Sequence, residues 1–203
     1  MIAAIILAAG RSKRMGSENK LLLPFGHQTL IQHTTEIILS SNANPVYLVL
    51  GYGAPEIERY LQGNPMNMVH NPNWQQGMTT SIQAGVEAVT EKVKGYMICL
   101  ADLPLMETGD YNHLLTCFEQ AQQGDARCIA APSFQGERGN PVIFSSTWKP
   151  EIMALQGPDG CRSIVQANTH HLVSIPMADN RAKADVDTPE AYERLINRPF
   201  STR

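Results

Sequence analysis

Arg11, Lys13, Arg14 and Lys20 crowd positive charge into one short stretch of a chain whose formal net charge is −3. They follow an apolar run over residues 2–9 through a single glycine, Gly10. A glycine at that point lets the backbone approach a phosphate and point its N–H groups at it. The small Ala8 and Ala9 leave room for a flat base, and the cations suit a triphosphate. A solvated basic loop after a buried strand would account for any one of these charges, but less well for the whole arrangement. The stretch fits neither the P-loop pattern nor GxGxxG.

Carboxylates supply the complementary chemistry. The apolar run through Leu100 and Ala101 ends in Asp102, followed by Leu103 and Pro104. A hard oxygen ligand there can hold Mg²⁺ between two phosphates, although a turn-initiating Asp reads the same way. Asp185 and Asp187 stand at period two, on the same side of an extended segment. Thr188 and Pro189 after them read as the cap and first position of a closing helix. Residues 71–81 join a short strand to a helix start, where free N–H groups and the hydroxyls of Thr80 and Ser81 suit a base edge or an anion. Simple capping by Thr79 or Thr80 is the plainer alternative. Arg138, Gly139, Asn140 and Pro141 form a turn before a strand.

These groups need elements to position them. Apolar runs over 2–9, 46–50, 67–70, 95–101, 127–131, 142–144 and 171–175 read as strands. Amphipathic or capped segments over 29–40, 55–61, 79–90, 111–122, 160–166 and 189–195 read as helices. Continuous apolar strands separated by helices predict an α/β fold, a mostly parallel sheet covered on both faces, in one domain over 1–203. In such a sheet ligands bind beyond the carboxyl ends of the strands, where Gly10 and Asp102 both fall.

The net charge of −3 gives no basic face for nucleic acid. The apolar N-terminal run is too short to span a bilayer and carries its cations after it, the reverse of a signal peptide. A cytoplasmic protein without a membrane partner is expected. Cys99, Cys117, Cys128 and Cys161 contain no CxxC pair, and the histidines show no ligand spacing beyond adjacent His170 and His171, which read as surface or packing residues.

Residues 7–16 together with Lys20 closely resemble the LAAGxSxRMG…K signature of the nucleotidyltransferases related to the molybdenum cofactor enzymes. The cytidylyl-transferring members are the nearest to it. Further segments match in order over nearly the whole chain: Asp102 in a CDQP-like turn, residues 185–190 as DxDTPE, residues 71–81 as NPxWxxGMxxS, and residues 138–144 as RG(H/N)PxxF. Ala101 and Leu103 replace the usual Cys and Gln, and Pro158 and Cys161 depart from a GDxGAR element.

The resemblance implies a Rossmann-like three-layer sandwich of the nucleotide-diphospho-sugar transferase type. It implies nucleotide binding by Leu7, Ala8, Ala9, Gly10, Arg11, Ser12, Gly77, Thr80 and Ser81. Mg²⁺ would be the cofactor, held by Asp102 and Asp187 with Asp185 behind. Lys20, Arg14 and Asp102 would be catalytic, and Arg138, Gly139, Asn140 and Pro141 would line the acceptor side. CTP is favoured, because guanylyl-transferring relatives usually carry Gly where Ala9 stands, and a molybdopterin-type cofactor is the leading acceptor. A transient contact with a molybdoenzyme or its maturation factor would follow. Transfer of another nucleotide to a sugar phosphate is the alternative within the class. A non-catalytic cofactor-handling protein is the alternative outside it, disfavoured by the joint presence of Lys20, Asp102 and Asp187.

Overall fold

Strand β1 (Ile2–Ala8) is buried along nearly its whole length, and its side chains alternate between two separate cores. Ile2, Ala4, Ile6 and Ala8 enter one core, while Ala3, Ile5 and Ala9 enter the other. That period-two division is why the run reads as continuously apolar: both faces of the strand are covered. The computed structural model describes residues 1–15 and 18–197.

The remaining strands are β2 (Pro24–Phe25), β3 (Gln28–Thr29), β4 (Val46–Leu50), β5 (Asn67–His70), β6 (Gly95–Leu100), β7 (Ile129–Phe134), β8 (Glu137–Arg138), β9 (Val142–Ser145) and β10 (Leu172–Pro176). The helices are α1 (Leu30–Leu39), α2 (Ala54–Tyr60), α3 (Met78–Ala88), α4 (Thr108–Gly124), α5 (Lys149–Ala154), α6 (Arg162–Ala167) and α7 (Pro189–Ile196). The main sheet runs β10-β7-β9-β6-β1-β4-β5, with β8 paired to β7, and β2 and β3 form a separate hairpin. Helices α1, α2 and α4 pack on one face through Ile31, Ile38, Ile57, Leu114 and Phe118. Helices α3, α5 and α6 pack on the other through Ile82, Val86, Ile152 and Val165. The result is the three-layer α/β sandwich with a mostly parallel sheet.

Within that frame β9 departs from the parallel pattern, being antiparallel to both β6 and β7. The reason lies in chain length. A parallel crossover needs a dozen or more residues, and the chain between Phe134 and Val142 holds only the short β8 return. Gln135 (φ 51°) and Gly136 (φ 79°) make that return. Helix α5 and the β2–β3 hairpin also go beyond the elements read from the sequence, since neither is long enough to show a period. The helix expected from Gly160 begins instead at Arg162, because Gly160 sits at φ 64°.

The chain order places β4 on one side of β1 and β6 on the other. The sheet therefore changes winding direction between β1 and β6, and the crevice beyond their carboxyl ends is the place where this class of fold binds ligands.

Candidate active site

A cleft of about 850 Å³ occupies that position, within the size range of small-molecule sites. The end of β1 lines it with Leu7 and Ala8 and the loop after it with Ala9, Gly10, Arg11 and Ser12, and Arg14 and Lys20 follow. Leu100 and Asp102 come from β6 and the turn after it, and Asp185 and Asp187 come from the segment before α7. Gly77 and Ser81 join them from the start of α3. A Cβ on Gly10 would meet no protein atom within 4 Å. The hydroxyl of Ser12 is buried with no hydrogen-bond partner among the described residues, so a polar ligand in the cleft has a group to satisfy. Gly16 and the side chain of Lys13 lie outside the described residues.

Local chemistry explains why these groups converge. The Asn19 side chain accepts from Leu21 N–H at 3.1 Å and caps the short turn Lys20–Leu22. With Leu21 buried in the core, Lys20 is left facing the cleft. Val186 N–H donates to the Asp102 carbonyl at 3.1 Å, which ties the segment before α7 to the turn after β6. Val186 is itself buried with Phe25, Leu30 and Leu195. The period-two pattern thus puts Val186 in a core and both flanking carboxylates on the cleft.

Lys20 Nζ donates to Asp102 and, at 2.6 Å, to Asp187 Oδ1. Its side chain is only 13% exposed and that of Asp102 14%. Burial acts against the ammonium, but the two carboxylates outweigh it and hold Lys20 above the usual lysine range. Burial likewise acts against the Asp187 carboxylate, yet Lys20 holds it below the usual range. Asp185 goes the other way: burial, then the neighbouring Asp187, push its carboxyl up. Arg14 reaches Asp187 Oδ2 at 2.5 Å but is 68% exposed, so that pair adds little on its own. Among the described residues no set of three or more His, Cys, Asp or Glu side chains is arranged to hold a metal ion.

The turn before α3 is held from within. Asn71 donates to Thr80 and Ser81 hydroxyls, each at 3.0 Å, and its oxygen accepts from Asn73 N–H at 2.9 Å. Thr80 in turn donates to the Gly77 carbonyl at 3.1 Å. Ser81 lines the cleft, whereas Thr80 is not among the lining residues and serves the turn. Trp74, Gln75 and Met78 line the cleft as well. Trp74 and Met78 are specified positions of the NPxWxxGMxxS pattern and Gln75 is not, and none of the three was assigned to the site, since nothing in their types distinguishes a lining residue from a packing one.

Tyr52 had no sequence signal. Its N–H donates to the Ala9 carbonyl at 3.0 Å, and the Arg11 guanidinium sits 5.5 Å from its ring centroid. The ring also meets Trp74 edge-on at 5.6 Å. Gly51 permits this approach: a Cβ there would lie 2.6 Å from Trp74 Cβ and 2.8 Å from the Ala9 carbonyl.

Arg138, Gly139 and Asn140 line a second cavity of about 160 Å³, which shares Leu100 and Asp185 with the main cleft. Lys183 lines it too, and Pro141, joined to Asn140 by a cis peptide, does not. Burial and the nearby charge of Arg162 hold Arg138 below the usual arginine range. Pro158, one of the departures from the resembled pattern, packs on Gly77, and its carbonyl accepts from Met78 N–H at 3.0 Å. All four cysteines are free, and burial pushes the Cys161 thiol up to about 12, which leaves it unsuited to nucleophilic work. His171 pairs with Asp125 at 2.6 Å and meets Trp148 edge-on, a packing role. No helix among the described residues is long and apolar enough to cross a membrane.

Residues 4–172 match the family described as the MobA-like NTP transferase domain. The molybdenum cofactor cytidylyltransferase of Escherichia coli is 29% identical over 195 residues, 94% of this chain and 93% of that protein. The nicotine blue oxidoreductase of Paenarthrobacter nicotinovorans is 27% identical over 197 residues, 96% of each. A Mycobacterium tuberculosis protein solved in complex with manganese shares the fold at a TM-score of 0.78, with 23% identity over 96% of this chain and 97% of that one.

Proposed function

The chain belongs to the MobA-like NTP transferase family, a nucleotidyltransferase related to cytidylyltransferases, and we propose that it transfers CMP from CTP to a molybdopterin-type acceptor with release of pyrophosphate. The observation that carries this reading is the meeting of the cationic β1 loop, Lys20 and three carboxylates in one cleft at the switch point of the sheet. The E. coli relative's name supports the choice of nucleotide and acceptor.

In this reading the Gly10 loop with Arg11 and Arg14 binds the triphosphate, and Ala8, Ala9 and the Gly77–Ser81 turn face the base. Asp102 and Asp187 offer hard oxygen donors from two elements, which suits Mg²⁺, an ion that takes one or two carboxylates and completes its shell with phosphate oxygens and water. When bound, the metal neutralises triphosphate charge. An acceptor phosphate oxygen attacks the α-phosphorus in line, the bond to the β-phosphate oxygen breaks, and pyrophosphate departs. Lys20 stabilises the charge that builds on the α-phosphoryl oxygens. No base is needed, because a phosphate acceptor is already ionised at neutral pH. The Arg138–Asn140 turn receives the acceptor beside Asp185. Four free cysteines suit the reducing cytoplasm, where we place the reaction.

The test is pyrophosphate release from each NTP with Mg²⁺, with and without the molybdenum cofactor, alongside calorimetry of the four nucleotides. CTP with the cofactor is expected to give the highest rate, and CTP the tightest binding. Equal or tighter binding of GTP would move the assignment to guanylyl transfer. Redox turnover of nicotine blue with no pyrophosphate from any NTP would replace the transferase reading with the oxidoreductase activity named for the P. nicotinovorans relative.

A further inference from the structure

The two carboxylates suited to the metal already share a cation. Lys20 Nζ bonds to Asp102 and to Asp187 Oδ1, and Arg14 takes the other oxygen of Asp187. Lys20 is therefore not free to meet a phosphate, and the carboxylate pair is not free to meet a metal. The proposed reaction needs both.

We infer that Lys20 is an internal counter-cation, so that the site takes a divalent ion as its complex with a nucleotide and binds the free ion weakly. This deepens the transferase reading and rests on it. The argument is one of charge and burial. Asp102 and Lys20 are each less than a sixth exposed, at 14% and 13%, and carboxylates so placed need a partner. A lone divalent ion entering between Asp102 and Asp187 must break both Lys20 bonds. It then strips a mostly buried ammonium of its side-chain hydrogen bonds, which among the described residues run to these two carboxylates. A triphosphate entering with the ion changes the balance. It brings its own negative charge to the Gly10 loop on the same cleft, so Lys20 exchanges carboxylate for phosphate and every charge keeps a partner. The exchange delivers the ammonium to the phosphate only once substrate is present, which is where a group that acts in the transition state belongs.

The experiment measures Mn²⁺ binding in the absence of nucleotide, by electron paramagnetic resonance of the free ion, for wild type, Lys20→Met and the double variant Lys20→Met/Asp102→Asn. Lys20→Met removes the charge and keeps most of the volume. It is expected to bind Mn²⁺ tighter than wild type by roughly tenfold or more, the scale of removing two charge-assisted hydrogen bonds that compete with the ion. The double variant should lose that gain. Lys20→Arg, with the charge kept, should stay near wild type. Should Lys20→Met prove too unstable to titrate, the melting temperature answers instead: Mn²⁺ should raise it strongly in the variant and barely in wild type. Equal Mn²⁺ affinity and equal thermal shifts in wild type and Lys20→Met would overturn the inference. If wild type still released pyrophosphate from CTP, the counter-cation role alone would fall. Absence of pyrophosphate release together with tighter Mn²⁺ binding by the variant would keep the counter-cation and remove the transferase.

Discussion

In the proposed reaction Lys20 makes the difference between holding a nucleotide and turning it over. Were it only a lysine whose stem covers Leu21, its loss would trim stability and leave turnover alone. Its placement against Asp102 and Asp187 on the cleft supports the other outcome. Lys20→Ala should lower kcat for CTP by roughly 10²-fold or more, the scale of losing one preorganised charged group. Lys20→Arg should not restore it fully, because a planar fork cannot replace a compact point charge. Steady-state kinetics with a melting curve decide this; an unchanged kcat with a raised KM would leave Lys20 a binding residue. Tyr52 acts at one remove, as a positioning residue that holds Arg11 over its ring. A cation–π contact at an exposed site is worth about 0.5–1 kcal/mol, so Tyr52→Ala should weaken NTP binding by roughly two- to fivefold with kcat unchanged. Tyr52→Phe, which keeps the face, should bind as wild type does. Equal losses in both variants would show that the hydroxyl matters rather than the ring face. Lys20 and the carboxylates were marked in the sequence by the motifs that residues 7–20, 100–104 and 185–190 resemble, since a lone cation in a loop or an Asp at a turn reads equally as a surface residue. Tyr52 was not, because an aromatic after a strand is ordinary core material until the fold brings it under Arg11.

The element that frames the proposed base side of the cleft is the turn into α3, and it depends on one backbone geometry. Gly77 sits at φ 111°, and a Cβ there would lie 2.5 Å from Pro158 Cα. Gly77→Ala should therefore cost about 1–3 kcal/mol for the strained backbone, and weaken nucleotide binding by pushing apart the turn and the loop that carries Pro158. Pro158→Ala should not rescue it, since the nearest obstructing atom is Cα, which every residue has. Calorimetry of NTP binding and melting temperatures of the two single variants and the double check both claims; full rescue would show that the proline ring, not the backbone, is the obstacle. The long apolar strands and the helices α1 and α7 were readable because burial on both faces, one-sided apolar spacing on α1 and a cap before Pro189 leave strong local patterns. Thr29 and Gln32 close a capping box on α1, and Thr188 caps α7 with Pro189 at its first position. The antiparallel β9 left no such pattern, since strand direction is set by the length of the preceding connection rather than by the residues of the strand. The second cavity was legible only as the turn holding Arg138, because Lys183 and Asp185 reach it through the tertiary fold.

At the scale of the molecule, the site depends on how close α3 lies to the sheet. Gly85, in the middle of α3, faces β1 so closely that a Cβ would lie 2.3 Å from Ile5 Cγ2. Ile5 is fully buried in the central strand, whose carboxyl end carries the Gly10 loop, and α3 carries the Gly77–Ser81 turn at its own start. The Gly85–Ile5 contact thus sets the spacing between the two parts of the proposed nucleotide site. In isolation Gly85→Ala gains about 1 kcal/mol of helix propensity, but overpacking a filled core costs about 1–3 kcal/mol. A rigid contact below 3 Å favours the second effect, because β1 is held by β4 and β6 on either side. Gly85→Ala should destabilise the protein and raise KM for the nucleotide, while Ile5→Ala should cost about 2–5 kcal/mol through the cavity it leaves. The double variant adds one carbon on the helix and removes three from the strand, the obstructing Cγ2 among them, so the clash is relieved and part of the cavity is filled; its loss should be clearly smaller than the sum of the two singles, with KM returning toward wild type. Urea unfolding and NTP kinetics on all four proteins measure the coupling. Strict additivity in both readouts would mean that α3 tolerates a shift from the sheet, and that the cleft owes its shape to the loops alone.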